Sequence, residues 1–106
     1  MNSVTSNAVN AAIANTLKRV KSVSSASASI SITDLPTGVY IVFTTDLYVN
    51  YDIYNLSILC RYDDARSKLT TISQYSFDIS LSADGKSLET TNNRHFYKCN
   101  FYQVGY

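Results

Sequence analysis

Glycine and proline are almost missing from this sequence, three of one and one of the other in 106 residues. So few glycines cannot build a glycine-rich phosphate cradle, and neither GxGxxG nor a P-loop occurs. Tryptophan is absent and histidine occurs once. Charge is also sparse, at 16% of residues with a net of +1. No field of one sign is available to gather nucleic acid, an anionic membrane or an acidic substrate. No apolar run approaches the length that spans a bilayer. The expectation is therefore no nucleic-acid partner and no membrane insertion. Met1 to Asn10 has no basic region and no apolar stretch of a signal peptide, which predicts synthesis in the cytoplasm. The two cysteines, Cys60 and Cys99, form no CxxC pair, zinc pattern or disulfide framework. Two thiols are expected, buried among apolar strand neighbours, with a disulfide between them as the alternative.

What is plentiful is tyrosine, nine residues beside four phenylalanines, together with serine and threonine. Aromatic and β-branched residues suit a pleated, half-buried surface. Residues 5–21 instead read as a helix of about four turns, rich in alanine and capped by Thr5 or Ser6. Val9, Ile13, Thr16, Val20 and Val23 follow a 4-3-4-3 spacing, an a/d seam that Leu17 widens. Lys18, Arg19 and Lys21 complement the C-terminal end of that helix dipole. From Ser25 the pattern changes to a period of two, with Ala26, Ala28, Ile30 and Ile32 on one face. Asp34-Leu35-Pro36-Thr37-Gly38 is the strongest turn signal. Val39 to Thr45 is apolar on both faces, as in a central strand covered on both sides. Leu56, Ile58 and Cys60 share a face, as do Tyr75, Phe77, Ile79 and Leu81. Asp84-Gly85 reads as a hairpin turn, Asn92-Asn93 as another, and His95 to Val104 as the final strand. The fold class expected is mainly β: a short N-terminal helix in residues 1–24, forming a trimeric bundle or coiled coil, then an antiparallel β-sandwich or small jelly roll in residues 25–106.

Catalytic chemistry finds little footing. There is no GxSxG elbow. His95, within strand alternation, has no partners at metal-ligand spacing. Asp63-Asp64 is the one adjacent acid pair, and such neighbours converge on a cation only in a loop. No two carboxylates suggest the facing pair of a glycosidase. The expectation is a non-enzymatic protein with no cofactor and no metal. The densest mixture of aromatic and polar residues is Tyr48, Asn50, Tyr51, Asp52, Tyr54 and Asn55. Tyrosine offers a flat apolar face with a polar tip, and the amides and carboxylate can orient a ligand such as a sugar. Packing in a core or a subunit interface is the alternative use of these rings. The exposed stretches 63–68 and 92–95 come next as recognition surfaces.

The segment Asn2-Ser3-Val4-Thr5-Ser6-Asn7-Ala8-Val9-Asn10-Ala11-Ala12-Ile13 resembles a stretch of tail-fibre and related proteins of phages and prophages of gut bacteria. There, such a run leads into a short helix and a β-rich terminal domain. The resemblance covers about the first twenty residues and identifies no binding residue. It implies a homotrimeric virion fibre segment, joined to other virion proteins, whose terminal module touches a host surface glycan or protein. A connector or decoration protein without a receptor and a fibre-associated glycan depolymerase are the other readings. A trimer joined through the seam predicts three chains per particle in sedimentation equilibrium. Ile13→Asp should weaken that assembly, because an unpaired carboxylate at a buried seam is costly.

Overall fold

The computed structural model describes residues 17–46, 53–91 and 94–105, without the side chains of 25 and 26. Among the described residues the chain is mainly β, with eight strands: β1 (Leu17–Ser27), β2 (Ser29–Ser31), β3 (Gly38–Asp46), β4 (Tyr54–Arg61), β5 (Lys68–Tyr75), β6 (Ile79–Leu81), β7 (Ser87–Thr90) and β8 (Phe96–Val104). One 3₁₀ turn, Asp64–Arg66, joins β4 to β5. Every paired neighbour is antiparallel, in a five-stranded sheet of order β1-β8-β3-β4-β5 and a three-stranded sheet of order β2-β7-β6. This is the layout of a β-sandwich.

The expected helix does not extend to Lys21. Leu17–Ser27 pairs with β8, from Leu17 opposite Val104 to Ser27 opposite Phe96. Helical spacing in so short a segment is outweighed by a full ladder of backbone hydrogen bonds along β8. Lys21 is fixed there by Asp34, with Nζ donating to both carboxylate oxygens at 2.7 and 2.8 Å. Leu17, Val20 and Val23 therefore sit on a strand, and the five-stranded sheet begins at Leu17, not at residue 25. Val9, Ile13, Thr16 and the rest of the expected helix lie outside the described residues. The alternation through Ile32 is real but is broken at Ala28, where the chain passes from one sheet to the other. Ser27 Oγ donates to the Ser29 carbonyl at that corner.

One core lies between the sheets. The five-stranded sheet contributes Tyr40, Val42, Leu59, Phe96, Cys99 and Phe101, and the three-stranded sheet Ile30, Ile79 and Leu88. Ile32, Leu35, Ile53 and Phe77 close it from the connections, and Phe77 meets Phe96 with ring centroids 5.8 Å apart. Strand β3 is central, as expected, but only one of its faces is covered. Tyr40, Val42, Thr44 and Asp46 point inward, whereas Val39 and Phe43 are exposed. On β4 the polarity is the reverse of the apolar pattern: Asn55, Ser57, Leu59 and Arg61 are buried, and Leu56, Ile58 and Cys60 face out. Tyr75 separates from Phe77, Ile79 and Leu81. It ends β5 in the exposed class, and Ser76 at φ 53° turns the chain toward the other sheet.

The inward charge of Arg61 is absorbed at one end of the sandwich. Its guanidinium donates to the carbonyls of Leu35 (3.3 Å) and Gly85 (3.2 Å), to Ser67 Oγ (3.3 Å) and to Asp64 (2.6 Å). Gly85, at φ +72°, belongs to the β6–β7 hairpin and presses on the 3₁₀ turn; a Cβ there would lie 1.6 Å from the Asp64 carbonyl oxygen. Arg61→Leu should leave two buried carbonyls without donors and lower stability by roughly 3 kcal/mol. Urea denaturation followed by far-ultraviolet dichroism measures this, and Asp64→Asn should cost less because its carboxylate is partly in solvent.

Candidate functional site

The sandwich has two unlike ends. At the first, residues 1–16 join the sheet at Leu17, in one row with Val104, Val39, Cys60 and Lys68. The turn before β3, the β4–β5 connection and the β6–β7 hairpin gather there around Arg61. At the second, β3 ends at Asp46 and β4 begins at Tyr54, bracketing residues 47–52. Phe96, opposite Asp46, brings the β7–β8 connection to the same end. A nine-residue β3 places the two ends about 30 Å apart. Of the recognition candidates, Tyr54, Asn55, Arg94 and His95 thus share the second end, whereas residues 63–68 lie at the first.

The base of the second end is built from charges and amides. The Asp46 carboxylate, almost fully buried, pairs with Arg94 at 3.6 Å, and its backbone N–H donates to the Ile53 carbonyl at 3.4 Å. Arg94 Nε donates to the Ser76 carbonyl at 3.2 Å. The Arg94 carbonyl accepts from Thr90 Oγ1 at 2.6 Å. One arginine therefore ties together the β3–β4, β5–β6 and β7–β8 connections. Beneath it Asn55 Nδ2 donates to the Phe77 carbonyl at 2.8 Å, and Ser57 Oγ donates to Asn55 Oδ1. These groups hold the strand ends in place; His95 is half-buried beside them.

Of the six residues marked for recognition, Tyr48, Asn50, Tyr51 and Asp52 lie outside the described residues. Asn55 is a correction: it is wholly buried, because its amide satisfies the interior between β4 and Phe77, so it cannot meet a ligand. Tyr54 lies on the outer face of the five-stranded sheet, stacked on Phe43 at 5.9 Å with its hydroxyl 2.6 Å from Ser73 Oγ. No local sequence pattern points to that outer face. In it Val104, Val39 and Cys60 form one row, Tyr102, Ile41 and Ile58 the next, and Phe43 and Leu56 a third.

Asp63 and Asp64 do not converge. Asp63 accepts from Arg66, whose hydrogen bonds hold its carboxyl below the usual range, and Asp64 pairs with Arg61. Among the described residues no three His, Cys, Asp or Glu side chains come together to hold a metal ion. Both cysteines are free. They lie on opposite faces of the sheet, Cys99 inside and Cys60 exposed, which corrects the expectation that both are buried. No known protein family matches the chain, and neither a curated protein nor a solved structure shows significant similarity to it.

Burial pushes the Cys99 thiol up to about 12, offset in small part by the Lys21 charge. Burial also raises the Tyr40 phenol, against the opposing Arg61 charge. Both groups keep their protons longer in the folded chain than in the unfolded one. Their contribution to stability is therefore constant below about pH 9 and falls as pH rises above it, with a limiting slope for Cys99 of about 1.4 kcal/mol per pH unit. Urea midpoints between pH 8 and 11 should show this fall, and Cys99→Ala should reduce it. Thiol titration without reductant should find two thiols per denatured chain.

Proposed function

We propose that this chain is an oligomeric module of a phage virion fibre, presenting its second end to the surface of a bacterial host. The observation that carries the reading is the polarity of the sandwich. Leu17, which follows the residues whose order resembles phage fibre segments, lies at one end, and Asp46, Ile53 and Arg94, which flank residues 47–52 and 92–93 in the sequence, lie about 30 Å away at the other. A module attached at one end and in contact at the other is suited to a fibre tip. In this reading the partners are two sister chains, other virion proteins and a host surface glycan or protein. The chain is made in the bacterial cytoplasm and works in the virion. No catalysis, cofactor, nucleic acid or membrane insertion is part of the proposal. The acids Asp46, Asp63 and Asp64 are each engaged by an arginine, which supports binding over hydrolysis.

The test is binding of the labelled full chain to whole cells of gut bacteria. Tyr51→Ala should abolish binding with the melting temperature nearly unchanged. A loss of roughly 3–5 kcal/mol in stability would instead place that ring in a core or interface. An assembled protein that binds no host cell would be a connector, and one that degrades host polysaccharide would be a depolymerase.

A further inference from the structure

Strand β1 is an edge strand, and among the described strands of its sheet it pairs with β8 alone. Its entry, Leu17, lies level with Val104 at the first end, and Ser27 lies level with Phe96 at the second. Strand β8 runs the opposite way and starts at the second end, two residues after Arg94. Arg94 also gathers that end, through Asp46 and the Ser76 carbonyl. Tension applied at Arg94 thus reaches β8 directly, or passes through Asp46 to β3, which adjoins β8 on its other edge. By either route through the five-stranded sheet it must cross the β1–β8 ladder to reach Leu17.

We infer that this ladder is a mechanical clamp, which carries tension along the strands between the attached end and the contacting end. The clamp belongs to the fold; its use in holding a virion to a host rests on the fibre reading above. The direction of the force sets its strength. Antiparallel hydrogen bonds lie perpendicular to the strands. Pulling Leu17 and Arg94 apart drives β1 and β8 in opposite directions along their own axes. From Leu17 to Ser24 the ladder runs about 23 Å, and all its bonds are strained together. A slip of one residue would also turn Val23 out of the interior and Ser22 into it. Pulling Leu17 and Val104 apart is different. The two are level on neighbouring strands, so the force acts across the ladder and opens it one pair at a time from the first end.

Side chains and the corner brace the same ladder. Ser22 Oγ donates to Asn100 Oδ1 at 2.6 Å, directly across the pair. Lys21 reaches over the Phe101 ring, its Nζ 6.0 Å from the centroid, to the carboxylate of Asp34. Asp34 belongs to the connection before β3, whose Leu35 carbonyl is held by Arg61. The ion pair therefore joins β1 to the sandwich beyond β8. The Lys21 side chain is only 15% exposed, so water screens it less than an open surface cation. At the far end of β1 the Ala28 carbonyl accepts from the Thr90 N–H at 3.1 Å. Strand β1 cannot slide out of the first end without drawing this corner, and β2 behind it, along.

Single-molecule force spectroscopy of the full chain in two pulling geometries tests the clamp. Cys60→Ser removes the exposed thiol, and Cys99 is buried. One handle is joined enzymatically at Met1. The other is attached either to Thr91→Cys, an exposed position at the second end, or to a cysteine added after Tyr106. At one pulling speed, the handles at 1 and 91 should unfold the chain at a force at least about threefold higher than the handles at both termini, since the first geometry strains the whole run and the second one pair at a time. Lys21→Ala, with its dichroism retained, should lower the first force, whereas Arg19→Ala, on the outer side of the same strand, should leave it unchanged. If Lys21→Ala does not fold, Asp34→Asn weakens the same pair from its exposed side. Equal forces in the two geometries would overturn the clamp. A first force indifferent to the loss of the ion pair would overturn the part given to Lys21. Neither result bears on host binding, which the cell assay measures without load, so the clamp and the fibre reading fail separately.

Discussion

The fold depends on one buried cation. Arg61 projects from the last position of β4 into one end of the sandwich and finds acceptors on three separate connections: Leu35 before β3, Asp64 and Ser67 after β4, and Gly85 in the β6–β7 hairpin. A buried guanidinium with unmet donors would be costly, so its presence obliges these connections to meet. They also interlock beyond it. Gly85 fits only because it lacks a side chain against the Asp64 backbone, and Tyr40 donates its hydroxyl to the Pro36 carbonyl at 2.6 Å. The three-stranded sheet is small, with two of its strands only three residues long. Its hairpin is held to the larger sheet as much by this polar knot as by the apolar core.

A similar solution with the opposite sign closes the other end. There the buried carboxylate of Asp46 is met by Arg94, which also gathers the β5–β6 and β7–β8 connections. Between the two ends the interior is mixed, apolar around Val42, Leu59 and Phe101 and polar around Thr44, Asn55 and Ser57. Buried polar groups specify a register, since a shift of one residue would expose the amide of Asn55 and bury Leu56 in its place. The cost is that apolar residues displaced from the interior stand on the outside.

This inversion explains what could be read in the sequence and what could not. The turns at 34–38 and 84–85, the buried pair Ile30 and Ile32, and the strand from Phe96 to Val104 follow from local rules, and the structure has them. The outward direction of Leu56, Ile58 and Cys60 does not, because alternation fixes which residues share a face but not which face is inside. The same limit applies to Val39–Thr45, whose double apolar character suggests cover on both sides, whereas Val39 and Phe43 are exposed. Leu17 to Lys21 has genuine helical spacing, and only the pairing with a strand some eighty residues later makes it extended. For the site, Tyr54 and Asn55 are adjacent and chemically suited to recognition, yet strand geometry sends one outward and the other into the core. Asp46 and Arg94 carried no signal, since their pairing depends on two distant connections meeting.

The order β1-β8-β3 has a consequence for how the molecule is made. Strand β8 is inserted between the first and third strands, so β1 has no partner, and β3 only β4, until residues 96–104 have left the ribosome. Leu17 waits for Val104 and Val39 for the same residue. Closing loops of that length is entropically slow; β3, β4 and β5 can pair in order as they are made, but the sheet is complete only when β8 enters it. Completion of the sheet is thus a late event, and a newly made chain holds β1 and one edge of β3 unpaired, exposed to aggregation and to chaperones, until the last strand threads the gap.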